Sequence, residues 1–162
     1  MLRSCLLLLI TVALVGCAST ESKTGAKKPG QRMMVRTTAY TQTEPGGSIN
    51  AIGGRLRFGS STYSAASDWS WLPLGTRFRM PATGRTYVIE DYGSALVGRQ
   101  TIDLYMPTRR LMNAWGVRTV EIEILEWGSR AMSLKMLTPR TRNHHVAVMV
   151  ANLRKQGPIP PT

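Results

Sequence analysis

Tyr87-Val88-Ile89-Glu90-Asp91-Tyr92-Gly93-Ser94, followed closely by Thr101-Ile102-Asp103-Leu104-Tyr105-Met106, is the stretch that decides the fold. Residues 87–90 have the aromatic and β-branched composition of a strand, and Asp-Tyr-Gly-Ser then breaks the run as a loop. The second segment is another short apolar strand with one carboxylate in its middle. Two brief strands that each deliver an aspartate, joined by a glycine-bearing loop, point to a small β-structure.

The same texture continues in both directions. Thr76-Arg77-Phe78-Arg79-Met80 alternates polar and apolar residues, the pattern of a half-buried strand. Met33-Met34-Val35-Arg36-Thr37-Thr38-Ala39-Tyr40 is rich in branched and aromatic residues, and Val120, Ile122 and Ile124 alternate with Glu121 and Glu123. Residues 42–59 carry Pro45-Gly46-Gly47, Gly53-Gly54 and Gly59, so they read as loop with a short strand near Leu56. Residues 64–71 read as a brief helical turn, and Pro73-Leu74-Gly75 as a turn feeding the next strand. Thr108 is an N-cap for a helix running to Trp115, where Gly116 stops it. Past Gly128, residues 145–155 have helical apolar spacing, and the Pro-rich end frays. The chain is therefore mainly β, a small barrel with one or two short helices and a C-terminal helical extension.

A length of 162 residues suits one domain with a real core. Both cysteines, Cys5 and Cys17, fall in the first seventeen residues, which excludes a disulfide framework, a zinc site or a thiol nucleophile from the folded part. Carboxylates are scarce, with three Asp (Asp68, Asp91, Asp103) and six Glu. Arg3, an apolar run over 5–15 and Gly16 form a secretory signal over residues 1–16, too short for a mature membrane span. Leu14-Val15-Gly16-Cys17 resembles the lipobox of bacterial lipoproteins, which implies cleavage before Cys17 and a lipid anchor on it. Residues 17–31 are then lipidated Cys and flexible tether, 32–128 the barrel, and 129–162 the helical extension and tail. Ala18 after the cysteine favours the outer membrane, facing the periplasm. The net charge of +12 fits anionic wall and lipid headgroups better than nucleic acid in such a compartment, so no nucleic-acid partner is expected.

Thr38-Ala39-Tyr40, Gly54, Ala65-Ala66-Ser67-Asp68, Leu72-Pro73-Leu74-Gly75-Thr76, Glu90-Asp91-Tyr92-Gly93-Ser94 and Ile102-Asp103-Leu104-Tyr105 together resemble the three-aspartate (3D) domain across residues 35–125. Every Asp of the chain falls on one of that family's three. The resemblance implies a six-stranded double-psi β-barrel, related to the barrel of membrane-bound lytic transglycosylase A, which cuts the MurNAc–GlcNAc bond of peptidoglycan and leaves a 1,6-anhydro sugar. It implies Asp103 as catalytic acid, Asp91 as the acid that opens the Gly-rich loop and helps form the site, and Asp68 in local structure or glycan contact; Tyr40, Gly93, Ser94 and Trp69 are candidates to touch the substrate. Tyr92 and Ser94 stand where the family loop has Thr and a second Gly, and Trp69 where Pro is common.

One acid is enough for such a reaction, because the attacking group is the sugar's own C6 hydroxyl. Ordinary glycosidases need two carboxyls across the bond. The acid needs a raised pKa, which burial or a neighbouring carboxylate such as Asp91 supplies. The alternative function is a non-catalytic peptidoglycan-binding lipoprotein using the same barrel. No metal or cofactor is expected: the aspartates lie on separate segments without EF-hand spacing, and His144-His145 has no third ligand nearby. Ser94 has no neighbouring His to activate it. Trp115 and Trp127 read as core, and Trp69 and Trp71 as candidates to line a glycan groove.

Overall fold

The computed structural model describes residues 30–43, 47–59 and 61–156. The expected signal segment, Cys17, the tether up to residue 29 and the Pro-rich tail lie outside the described residues. Six strands, β1 (Arg32–Tyr40), β2 (Tyr63–Ala66), β3 (Arg77–Met80), β4 (Arg85–Asp91), β5 (Thr101–Tyr105) and β6 (Arg118–Glu126), close into a barrel in the order β1-β5-β2-β4-β3-β6. The pairs β1/β5 and β2/β4 are parallel and the other four antiparallel. This is the six-stranded, mainly β fold class expected, and closure leaves none of the six strands with a free edge.

The alternating pattern places the side chains. In β3, Arg77 and Arg79 face solvent while Phe78 and Met80 are buried, and in β6 Ile122 and Ile124 turn inward. Val35, Ala65, Tyr87, Ile89, Ile102 and Leu104 complete the interior. Phe78 and Tyr87, cross-strand partners, stack with ring centroids 5.3 Å apart.

Residues 64–71 do not form the helical turn expected. β2 occupies Tyr63–Ala66, because β4 on one side and β5 on the other supply its hydrogen bonds, and Ser64, Ala65 and Ala66 are small enough to be buried between them. The turn starts at Asp68, whose carbonyl accepts the amides of Trp71 and Leu72 at 2.9 and 3.0 Å. In place of a strand near Leu56, a single bridge joins Ile49 to Arg55.

Helix α1 (Arg109–Trp115) begins at Thr108, whose side chain accepts the Leu111 amide, and ends at Gly116 with φ 60°, a conformation that suits glycine. The extension holds two helices, α2 (Arg130–Leu137) and α3 (His144–Lys155). Val146, Met149, Val150 and Leu153 form one buried stripe on α3. Polar bonds fix the pair to the barrel: the Ser133 hydroxyl accepts the Leu74 amide at 2.9 Å, the Ser129 amide donates to Leu74 O at 2.9 Å, and Gln156 Nε2 donates to Ser70 O at 2.5 Å.

The junction between β6 and α2 passes through Gly128, where a Cβ would overlap the carbonyl oxygens of Pro73 and Leu74 and sit 2.5 Å from the Thr76 amide nitrogen. Only glycine fits a backbone approach that close. Gly128→Ala should cost about 1–3 kcal/mol of unfolding free energy in a urea titration. Gly93→Ala, whose Cβ would meet only the Leu96 side chain at 3.7 Å, should stay within about 0.5 kcal/mol of wild type. Equal stability of the two variants would contradict this packing.

Candidate functional site

Four residues stand in register across the barrel wall. Thr38 on β1 pairs with Asp103 on β5, Asp103 with Ala66 on β2, and Ala66 with Asp91 on β4. Registered neighbours share a face, so both aspartates flank Ala66, two strand spacings or about 10 Å apart at Cα. The methyl group of Ala66 leaves room between them. A cavity of about 430 Å³ opens there, with Tyr40, Asn50, Ala66, Asp91, Asp103 and Arg140 among its walls.

A register shift between Ala65 and Ala66 makes this row. Ala65 pairs with Ile89, but Ala66 pairs with Asp91, so Glu90 is passed over. Such a bulge re-aims the side chains after it. Glu90 is buried and engages the Arg57 guanidinium and the Ser64 hydroxyl, away from the cavity lining, while its neighbour Asp91 joins the row with Asp103.

Asp91 is held from three sides. Its Oδ1 accepts the Tyr92 amide at 2.9 Å, its Oδ2 accepts the Tyr40 phenol at 3.3 Å, and the Ala51 amide also donates to it. Burial nevertheless pushes its carboxyl above the usual value of 3.8, outweighing these bonds. The Tyr40 phenol is pushed far above its ordinary range, by burial first and then by the charges of Asp91 and Asp103. It therefore stays protonated and donates. Asp103 accepts the Thr38 hydroxyl at 2.7 Å. Asn50 shapes the facing wall: its Oδ1 accepts the amides of Gly54 at 2.7 Å and Ile52 at 3.2 Å, which holds the 50–54 loop beside Asp91.

The expected site residues divide. Asp91, Asp103, Tyr40 and Gly93 line one cavity. Asp68 does not: it is 2 % exposed, with Oδ1 accepting the Ser70 amide and hydroxyl at 2.8 and 2.6 Å and Oδ2 the Gly98 amide at 2.8 Å. It ties the turn after β2 to the loop after β4. Nor does Trp69 line it, since with 0 % exposure it has no face to offer a sugar. Its indole Nε1 donates to Asp91 O at 2.8 Å and its ring meets Tyr92 edge-on at 5.0 Å, so it braces the aspartate from behind. Ser94 is exposed at the start of a short 3-10 turn, Ser94–Leu96, and is absent from the cavity lining. Trp71 is likewise not part of that lining. Cys17 lies outside the described residues.

Asn50, Ala66 and Arg140 also wall the cavity, and neither Asn50 nor Arg140 stands out in the sequence. Of these, Ala66 alone had a usable signal, its place two residues before Asp68 in a run of small side chains.

With the aspartates in one row on a closed barrel, comparison with known proteins gives a consistent result. Residues 63–126 match the 3D domain family. The matched segment runs from β2 through β6 and contains all three aspartates, while β1, with Thr38 and Tyr40, precedes it. The chain is 29% identical over 108 residues to the cell wall-binding protein YocH of Bacillus subtilis (strain 168), covering 66% of this chain and 37% of that protein. It is 32% identical over 116 residues to the putative cell wall shaping protein YabE of the same organism, covering 71% of this chain and 28% of that protein. The chain thus spans well under half the length of either relative. Both relatives are named for the cell wall.

The raised Asp91 carboxyl has a consequence for stability. The folded chain keeps that proton to a higher pH than the unfolded chain, so between the two values the folded state binds more protons and stability falls as pH rises. The loss persists at neutral pH. Asp91→Asn removes the ionisation, so its urea midpoint should exceed that of wild type at pH 7, and the two should converge as pH falls below 3.8. A variant less stable than wild type at pH 7 would contradict burial as the dominant influence.

Proposed function

We propose that the chain is a lytic transglycosylase-like enzyme of peptidoglycan, cleaving the MurNAc–GlcNAc bond with Asp103 as general acid and base. The observation that carries this proposal is the row Asp103–Ala66–Asp91 in the wall of one cavity, with Thr38 behind it donating to Asp103. Asp103, protonated, donates to the departing glycosidic oxygen as the bond from C1 to that oxygen breaks. The C6 hydroxyl of the same MurNAc then attacks C1, and the Asp103 carboxylate takes the hydroxyl proton. The new C6–O–C1 bond is the 1,6-anhydro ring, no water is consumed, and Asp103 returns to its protonated form.

Asp91 is the organiser of the site. Its oxygens hold the Tyr92 and Ala51 amides and the Tyr40 phenol, and so fix the Gly93 loop beside the reacting bond. Dipoles fixed before the substrate arrives are what stabilise a developing oxocarbenium charge. The lipobox-like Leu14-Val15-Gly16-Cys17 supports a lipid anchor on Cys17 and an outer-membrane position facing the periplasm, from which a tether brings the barrel to the wall.

A second reading, a non-catalytic binder of glycan strands, is favoured by the relative named for cell wall binding. Muropeptide analysis separates the two. Wild type should release 1,6-anhydromuropeptides from purified sacculi, and Asp103→Asn should lower the rate at least about a hundredfold while still sedimenting with sacculi. Undiminished release by the variant would remove Asp103 from the chemistry. Binding without release by wild type would establish the second reading.

A further inference from the structure

The helical extension follows the segment that matches the 3D domain family, yet it supplies a side chain to the cavity. Arg140 ends a 3-10 turn, Thr138–Arg140, placed by the fully buried Leu137 before it and stiffened by Pro139. Its Nη1 donates to Tyr92 Oη at 3.4 Å. Among the described residues Arg140 makes no ion pair, and it is the single cationic side chain in the cavity lining. Two aspartates in the same cavity repel an anion. A half-buried guanidinium at one wall reverses that locally, and its planar fork matches a carboxylate through two parallel hydrogen bonds.

We propose that Arg140 is a specificity-determining residue of this site, taking a carboxylate on the muramyl side of the glycan and thereby setting which bond lies over Asp103. This rests on the peptidoglycan assignment above. The carboxylate has two chemical sources: the stem peptide on intact strands, or the lactyl group on strands stripped of peptide. Either would pair with Arg140 while the neutral sugar rings lie over Ala66 between the aspartates.

The test uses the full chain in an Asp103→Asn background, which stops turnover, and measures affinity for three probes: neutral chitohexaose, peptide-bearing glycan strands, and strands stripped by amidase. Arg140→Gln should lose about tenfold (~1.4 kcal/mol) on a carboxylate-bearing probe and nothing on chitohexaose, with Arg140→Lys recovering part of the loss. Loss confined to peptide-bearing strands assigns the stem peptide, and loss confined to stripped strands assigns the lactyl group. A purely structural role would lower affinity for neutral and charged probes alike, and that result, or no loss on any probe, overturns the proposal. If the Asp103→Asn parent itself binds none of the three, the peptidoglycan assignment fails and this one falls with it.

Discussion

The register shift between Ala65 and Ala66 is the constraint on which the site depends. In an unbroken parallel ladder Ala66 would face Glu90, and Asp91 would turn to the opposite side of the sheet, because successive side chains alternate. The shift reverses this for one pair. It leaves Glu90 buried against Arg57 and Ser64, where the carboxylate has a cation and a hydroxyl, and it frees Asp91 to stand in line with Asp103. A β-branched or larger residue at 66 would fill the space between the two carboxyls, so the size of one methyl group sets the floor of the cavity.

Around that row the protein has built supports rather than further chemistry. Asp68 spends both carboxylate oxygens on Ser70 and Gly98, and Trp69 spends its indole N–H on the carbonyl of Asp91. These bonds bind the turn after β2 to the loop after β4, and α3 closes over them through Gln156 and the Tyr92–His145 contact. The extension is therefore part of the site's foundation as well as the source of Arg140. An organised site holding a buried acid costs stability, which is the usual relation between function and fold at such places.

Strand composition and alternation were enough to read β1, β3, β4, β5 and β6, and Thr108 and Gly116 bracket α1 in the sequence as they do in space. β2 was not legible, since Tyr-Ser-Ala-Ala has weak strand propensity and owes its conformation to neighbours on both edges. Asp91, Asp103, Tyr40 and Gly93 could be named from motif and resemblance, because they lie on the motif segments themselves and the barrel brings those segments to one cavity. Which of local structure and glycan contact Asp68 serves, and whether Trp69 lines a groove, could not be read, since whether a side chain faces a groove or a core is decided by packing that no local pattern encodes. Arg140 was invisible for a related reason: it is one arginine among many, distinguished only by where α2 and the following turn carry it.

The central claim is that glycan binds over the row Thr38–Asp103–Ala66–Asp91. An amide chemical-shift titration of the Asp103→Asn chain with a short peptidoglycan fragment tests it most directly. The account predicts the largest shifts at Thr38, Ala66, Asp91, Tyr92 and the Asn50 loop, with Arg140 among them. Shifts concentrated instead around Leu74, Trp127 and Met132, which wall a separate cavity on the barrel, would contradict it.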